Sequence, residues 1–461
     1  MVIGGGSAGL VAAHLAAGFG RKVALVERAR TGGECLNTGC VPSKTLLSIA
    51  REVRTARSAP RYGLSVSGQT DWAAVRARVR EVIERIAPQD SPETLEKAGV
   101  RVLPGHARFL GPHALEVRGD GPARTYRARG FIVATGAEAE VPPEVAHLPV
   151  LTHEDLFDLE RQPTHLAVLG GGAVAVEMAQ AFARLGSRVT LLARGDRLAS
   201  RFEPEVSKAL RSALERDGVD VRLNTRVLGG CETQAGLRLE LRHDAPLEAS
   251  HLLVAVGKKP RVHGLGLEAI GAKFSDAGLE SDATGRSSVP HVWGAGDVLG
   301  RDLYTHAAGE EAVLALLAYL KLSPLARWRA PVRRNSPRSL FTDPEVAAFG
   351  LSEAGARAAQ GRVTVLEYPF SKLDRARTEG TEEGFVKLVL SGGLLRPRIL
   401  GATVVGPRAA ELLFALELAH SSGLHPLRLV SPTPAYPSYA EALRYTLLGL
   451  VSQGETFGKR R

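Results

Sequence analysis

Cysteine is scarce here, at three residues in 461, and that scarcity excludes a fold held by a framework of structural disulfides. Aromatic side chains are also few, at 5%, and they do not interleave with basic blocks. The formal net charge of +10 therefore reads as a basic solvated surface spread along the chain, and no nucleic-acid partner is expected. No apolar run approaches the roughly 18 residues that a membrane-spanning helix needs, so no membrane partner is expected either. Met1 runs directly into Val2-Ile3-Gly4-Gly5-Gly6 without a charged-then-apolar leader, which points to the cytoplasm. Solenoid-length repeats and low-complexity linkers are missing, so tightly packed domains are expected.

What is present suits two to four domains of ordinary globular composition, 44% apolar and 23% charged. Two segments, Val2 to Glu27 and Leu166 to Arg194, share one grammar: a β-branched run, a glycine cluster, then a helical stretch. Between them, Asp71 to Ile86 puts Trp72, Val75, Val79, Val82 and Ile86 on one helical face, and Val100 to Val133 reads as a small antiparallel meander. From Val332 the pattern changes. Strands are predicted at Ser339 to Thr342, Val363 to Tyr368, Gly384 to Leu390 and Ile399 to Val405, with helices over Glu411 to His420 and Ala440 to Leu450. The predicted fold class is α/β, with two Rossmann-like dinucleotide-binding domains followed by a C-terminal α+β domain.

In the first segment Gly4-x-Gly6-x-x-Gly9 follows a strand and opens a helix. Gly4 permits the tight turn, Gly6 lets backbone approach a pyrophosphate, and Gly9 lets helix and strand pack closely. Glu27 ends the next strand where an acid reaches a ribose hydroxyl, and the helix start offers N–H donors to phosphate. The leading strand is short, because only Met1 to Ile3 precede Gly4.

The most informative stretch is Thr31-Gly32-Gly33-Glu34-Cys35-Leu36-Asn37-Thr38-Gly39-Cys40-Val41-Pro42-Ser43-Lys44. On a continuous helix the two cysteine Cα atoms would stand roughly 8–9 Å apart, beyond the approximately 7 Å limit for a disulfide. A bond between Cys35 and Cys40 thus requires a bend, which Asn37 and Gly39 would supply through unusual φ, before a helix begins with Pro42 in its first turn. At that helix's start the dipole favours a thiolate at Cys40, and Lys44, four residues on, shares its face. Cys231 has no sequence partner and reads as a bystander, and lone histidines such as His306 and His425 read as structural.

These residues resemble the class I pyridine nucleotide-disulfide oxidoreductases, a family that includes lipoamide dehydrogenase, glutathione reductase and mercuric reductase. The resemblance runs through Ala134-Thr135-Gly136, Ala255-Val256-Gly257-x-x-Pro260, Gly294-Ala295-Gly296-Asp297 and Phe341-Thr342-Asp343-Pro344-Glu345. It implies that FAD is held by residues including Gly4, Gly6, Ser7, Ala8, Gly9, Glu27, Gly33, Glu34, Lys44, Thr135, Gly136, Gly257, Gly296, Asp297 and Ala307. Cys40 would lie against the flavin, Cys35 would exchange with substrate, and Lys44 would pair with Glu177. The implied domains are FAD-binding (1–145 and 263–330), NAD(P)H-binding (146–262) and dimerisation (331–461), in a homodimer whose subunits share an active site.

The second fingerprint, Gly170-x-Gly172-x-x-Ala175, follows Leu166 to Leu169 and opens a helix containing Glu177. After the next strand, Arg188 to Leu192, an NAD site carries a carboxylate; here Ala193 stands there, followed by Arg194, Arg197 and Arg201. Guanidinium groups suit a 2′-phosphate, so NADPH is expected over NADH. Near the C-terminus the family's disulfide reductases carry a histidine followed five residues later by a glutamate. Here Tyr436 and Glu441 occupy those positions, and a tyrosine is a poor proton shuttle at neutral pH. Tyrosine there is similar to mercuric reductases, although the final Thr456 to Arg461 holds no cysteine pair. The expected activity is transfer of electrons from NADPH through FAD and the Cys35–Cys40 disulfide to a small-molecule, thiol/disulfide or metal acceptor. The alternatives are a mercuric-reductase-like metal or quinone reductase, or a lipoamide-dehydrogenase-like subunit of a multienzyme complex. No resident metal is expected.

Overall fold

The computed structural model describes residues 1–322, 336–391 and 397–458, with side chains to residue 450. The expected boundary at 330/331, Val332 and the side chains of Thr456 to Arg461 lie outside the described residues. The chain divides into two compact units. One comprises Met1–Ile49, Ser65–Pro163 and His251–Arg334, and the other Ala50–Leu64, Thr164–Ser250 and Asn335–Arg461.

The first unit is built on a parallel sheet in the order Val292–Gly294, Phe131–Val133, β1 (Val2–Ile3), β2 (Val23–Glu27), Val100–Pro104. Strand β1 is two residues long but continues its ladder through Met1, whose carbonyl accepts from Ile132 N at 3.0 Å. Side chains alternate across the sheet, as the two-residue period of a strand demands. Val2, Leu25 and Ile132 pack with α1 (Ser7–Gly18) and the helix Thr305–Tyr319. Ile3, Val26 and Val133 face the opposite way, onto Phe109, Leu115 and Val117. Alanine at positions 8, 12, 13 and 16 leaves α1 thin enough to lie close to both neighbours. Phe109 meets Phe131 edge-on at 4.9 Å between centroids, a pairing worth about 0.5–1.5 kcal/mol beyond its buried area.

The meander expected over Val100 to Val133 is shorter than that. Only His106–Gly111, Ala114–Arg118 and Arg124–Arg127 form it, while the flanking strands join the parallel sheet. The flanks Val100–Pro104 and Phe131–Val133 pair with parallel neighbours far away in sequence, and alternation along the chain does not encode strand direction. The helix expected from Asp71 begins at Trp72, with the Asp71 carboxylate capping Ala73 N at 2.8 Å.

In the second unit His165–Leu169, Arg188–Leu192 and Val219–Arg222 pair in parallel, with the helices Ala173–Leu185 and Pro204–Arg216 between them in sequence. Its C-terminal part is an antiparallel sheet ordered Arg338–Leu340, Val346–Gly350, Ile399–Val405, Phe385–Ser391, Val363–Pro369. The helices Ala409–Ser421 and Glu441–Gly458 cover one core that includes Phe349, Phe370, Leu388 and Leu416. The strand Val346–Gly350 is absent from the sequence expectation because Val-Ala-Ala-Phe-Gly carries little β-branched signal. No helix among the described residues is long and apolar enough to cross a membrane.

Candidate active site: a cysteine pair at two helix starts

The loop after β2 folds back on the first glycine fingerprint. Gly32 N donates to Gly5 O at 2.9 Å, and Gly32 and Gly33 take φ of 87° and 56°, which favour glycine. A Cβ on Gly33 would stand 2.5 Å from Gly6 Cα, so the redox loop touches the middle glycine of the fingerprint directly. A five-residue helix, α2 (Gly33–Asn37), carries Cys35; Thr38, at φ −139°, breaks it, and α3 (Cys40–Ser58) begins at Cys40. The bend between the cysteines is therefore present, but neither Asn37 nor Gly39 adopts positive φ. Asn37 instead ties the turn through its side-chain amide, donating to Gly33 O at 2.8 Å and Thr31 O at 3.2 Å. Gly39 is needed for closeness, since an added Cβ would lie 2.9 Å from Glu34 O.

Both cysteines are free thiols and partly buried. Cys40 Sγ lies 3.1 Å from Thr305 Oγ1, the first residue of the helix Thr305–Tyr319, so two helix starts converge on this sulfur. Cys35 is the strongest influence on Cys40, holding its thiol down at about 6 by donating to the thiolate, with help from Thr305 and Lys44 against burial and Glu34. The Cys35 thiol is pushed up, by its bond to Cys40 first and by burial second. Of the two sulfurs, Cys40 is the one whose ionisation its surroundings favour.

Around this pair lies a ring of charge. Burial disfavours ionisation of Glu34, yet His153 and Lys258 together outweigh it and hold its carboxyl at about 2. Glu34 Oε1 accepts from Lys258 Nζ and lies 3.3 Å from Nε2 of the buried His153. Lys258 Nζ is also 3.9 Å from Asp297 Oδ2, and burial raises the Asp297 carboxyl. Sequence reasoning does not single out Thr305, Lys258 or His153. Lys258 occupies an unspecified position of the Gly257-x-x-Pro260 motif, and the other two carry no local signal.

Both glycine fingerprints fit a dinucleotide. At Gly6 an added Cβ would meet nothing nearer than 3.8 Å, and at Gly172 nothing within 4 Å, so backbone is open to a ligand at both middle positions. Gly4 and Gly170 take φ of 104° and 140°, and a Cβ on Gly9 would collide with the Gly4 carbonyl. Ser7 and Ala8 open α1, and a helix start offers N–H donors to a phosphate. The Glu27 carboxylate caps the turn, accepting from Gly5 N and Ala29 N. Thr135 Oγ1 donates to Arg261 O at 2.7 Å, and Gly136 N–Cα, at φ 71°, turns the chain there. Gly257 accepts from Glu140 N at 3.0 Å. Gly296 N donates to Glu311 Oε2 at 2.8 Å beside Asp297, with Ala307 buried in the neighbouring helix.

In the second unit Ala175 is fully buried, and the Glu177 carboxylate accepts from Phe341 N at 2.9 Å. Ala193 is buried at the end of its strand, Arg194 is exposed, and Arg197 Nε lies 3.9 Å from Asp196 Oδ1. Tyr436 is 72% exposed and donates its hydroxyl to Asp374 Oδ2 at 3.1 Å. That bond and the Asp374 charge raise its pKa. Glu441 is buried and accepts from Ser438 N at 3.1 Å and Tyr445 Oη at 3.3 Å. Asp374 is a further residue without a sequence signal. Cys231 is exposed on the strand Val227–Thr233, and His425 caps a short helical turn by accepting from Leu427 N.

Residues 1–312 match the family described as "Pyridine nucleotide-disulphide oxidoreductase", and residues 336–447 match its dimerisation domain. A dihydrolipoyl dehydrogenase of Thermus scotoductus is 35% identical over 456 residues, 96% of this chain and 95% of the relative. One from Bacillus subtilis is 30% identical over 460 residues, 98% of each chain. Among solved structures, the HOCl-induced flavoprotein disulfide reductase RclA from Escherichia coli superposes with a TM-score of 0.85 at 26% identity, covering 97% of this chain and 98% of that one. RclA has also been solved as a Cu(II) complex. LpdA from Mycobacterium tuberculosis superposes at 0.87 and 26% identity, over 97% and 99% of the two chains. With full-length relatives on one side and a paired thiol seated against a dinucleotide cradle on the other, the chain belongs to the class I pyridine nucleotide-disulfide oxidoreductase family.

Proposed function

We propose that this flavoprotein disulfide oxidoreductase uses NADPH to reduce a Cys35–Cys40 disulfide by way of FAD, and delivers the electrons to a thiol/disulfide or metal acceptor. The observation that carries the reading is the seat of Cys40, at the start of α3 and 3.1 Å from Thr305 Oγ1, in a loop that abuts Gly6. Bound FAD would relay an electron pair between nicotinamide and the sulfurs. On the protein's side, two electrons break the S–S bond, Cys40 keeps a thiolate, and Cys35 takes up one proton. Cys35 is then the thiol that meets the acceptor.

FAD would be held by Gly4, Gly6, Ser7, Ala8, Gly9, Glu27, Gly33, Glu34, Lys44, Thr135, Gly136, Gly257, Gly296, Asp297 and Ala307, all but Gly257 in the domain formed by residues 1–145 and 263–330. NADPH would be held by Gly170, Gly172, Ala175, Arg194 and Arg197 in 146–262, with Glu177 close to its helix start. Ala193, in place of a carboxylate, and the exposed Arg194 support the 2′-phosphate preference. Residues 331–461 would form the dimer, with Tyr436 and Glu441 contributed to the partner's redox pair. The Cu(II) complex of RclA supports screening metal ions beside disulfides.

A second reading, a dihydrolipoyl dehydrogenase subunit of a multienzyme complex working with NADH, draws support from the names of the relatives. Tyr436 in place of histidine weighs against it. Anaerobic titration of the purified protein and its Cys35→Ser variant with NADPH and with NADH separates the readings. Wild type should take up about four electrons, two at the disulfide and two at the flavin, with a long-wavelength thiolate-to-flavin band at the two-electron stage, while the flavin is still oxidised. Uptake of only two electrons, identical in the variant, overturns the role of the cysteines, and faster reduction by NADH overturns the coenzyme choice.

A further inference from the structure

The residue before Cys35, placed above in the flavin cradle, is also tied to a charged network. Glu34 is the inner residue of the redox turn: its carbonyl accepts from Thr38 N at 2.9 Å, and Gly39 packs against it closely enough to exclude a Cβ. Its side chain leaves the turn to meet Lys258 Nζ, on a strand that pairs Lys258 with Ala139, and the buried His153. Lys258 is itself only 18% exposed and reaches toward Asp297. We propose that Glu34 and Lys258 are positioning residues of the redox centre: their ion pair anchors the Cys35–Cys40 turn, and its charge balance governs the ionisation of the Cys40 sulfur. The inference rests on the reading of Cys35 and Cys40 as the working redox pair.

Cys35 and Thr305 donate hydrogen bonds to Cys40, Lys44 contributes a cation, and Glu34 and Asp297 contribute carboxyl groups. His153 and Lys258 act through Glu34 and Asp297. Two carboxyl groups close to a sulfur anion disfavour it unless they are neutralised, and Lys258 is the cation that contacts both. A unit charge within about 10 Å in a partly buried site is sufficient to move a titration midpoint by roughly one pH unit.

The test is the pH titration of the Cys40 thiolate in the reduced holoenzyme. It is followed by long-wavelength absorbance and, independently of the flavin, by the rate of iodoacetamide alkylation resolved to Cys40 by fragment mass spectrometry. Glu34→Gln should lower the midpoint by up to about one unit, Lys258→Met should raise it by a similar amount, and the double variant should return close to wild type. A tie that merely holds the loop would move both single variants in the same direction, and that result, or no movement, overturns the proposal. If Lys258→Met does not fold, Glu34→Gln decides alone: a midpoint raised or unchanged overturns the idea. Failure of the underlying reading looks different, because wild type itself would then lack the long-wavelength band at every pH.

Discussion

At the residue scale, identical side chains five positions apart acquire opposite acid strengths. Cys35, Thr305 and Lys44 favour the Cys40 anion, whereas the interaction with Cys40 and burial push the Cys35 thiol up, so ionisation of one sulfur opposes that of the other. The sign follows directly: a thiol held down at about 6 is a thiolate above that pH and is lost as pH falls through it. The long-wavelength band of the reduced protein should therefore persist at pH 7 to 8 and fade below about 6. Thr305→Val removes one hydrogen bond to the anion and should raise that midpoint by up to about one unit in the same absorbance titration. Tyr436 is the opposite case. Its hydroxyl is bonded to Asp374 and its pKa is raised, which makes it a still poorer proton shuttle near neutrality. Tyr436→Phe should change disulfide-reductase turnover by less than about threefold, whereas Tyr436→His should raise it roughly tenfold or more, as measured by kcat at pH 7.

At the scale of elements, the active turn depends on an interrupted helix. A continuous helix through residues 33–58 would hold the sulfurs apart; Thr38 breaks it and Gly39 lets α3 start against the Glu34 carbonyl. Gly39→Ala must push that carbonyl away, at a cost of about 1–3 kcal/mol. The expected result is a lower Tm in thermal unfolding together with a loss of rapid disulfide formation between Cys35 and Cys40. The Cys35-to-Cys40 bend was legible in the sequence because the spacing forbids a helix-borne disulfide. Its mechanism was not legible, because Asn37 acts through a side-chain amide and Gly39 through contact, neither of which a preference for positive φ reveals. The same distinction applies to the strands. Arg188–Leu192 and Ile399–Val405 stand where β-branched runs put them, whereas the parallel partners of Val100–Pro104 depend on ladders to residues far along the chain.

At the scale of the whole molecule, the second unit buries charge in networks. In the second unit Lys387, 3% exposed, lies 3.0 Å from Glu353, 3.2 Å from Glu205 and 3.6 Å from the equally buried Glu203. These groups come from two helices, a loop and a strand in different parts of the chain, so the network ties the unit together. Lys387→Met would leave Glu203 buried without its cation, and denaturant unfolding should register a loss of about 3 kcal/mol. Arg184 and Asp217, each 4% exposed, form a second such link at 2.8 Å, which Gln180 joins by donating to Asp217 at 2.9 Å.

The sequence by itself determined the chemistry available to this protein. Two glycine fingerprints, a Cys-x-x-x-x-Cys turn ahead of a helix, and the family they resemble are all written in residues close together in the chain, where spacing alone constrains geometry. Tertiary structure decided how that chemistry is poised. Thr305 meets Cys40 across 265 positions, and Lys258 meets Glu34 across 224. Electrostatic and hydrogen-bond interactions depend on distance in space, so how strongly the Cys40 anion, which the helix start already favours, is stabilised depends on the folded chain bringing those partners within a few ångströms.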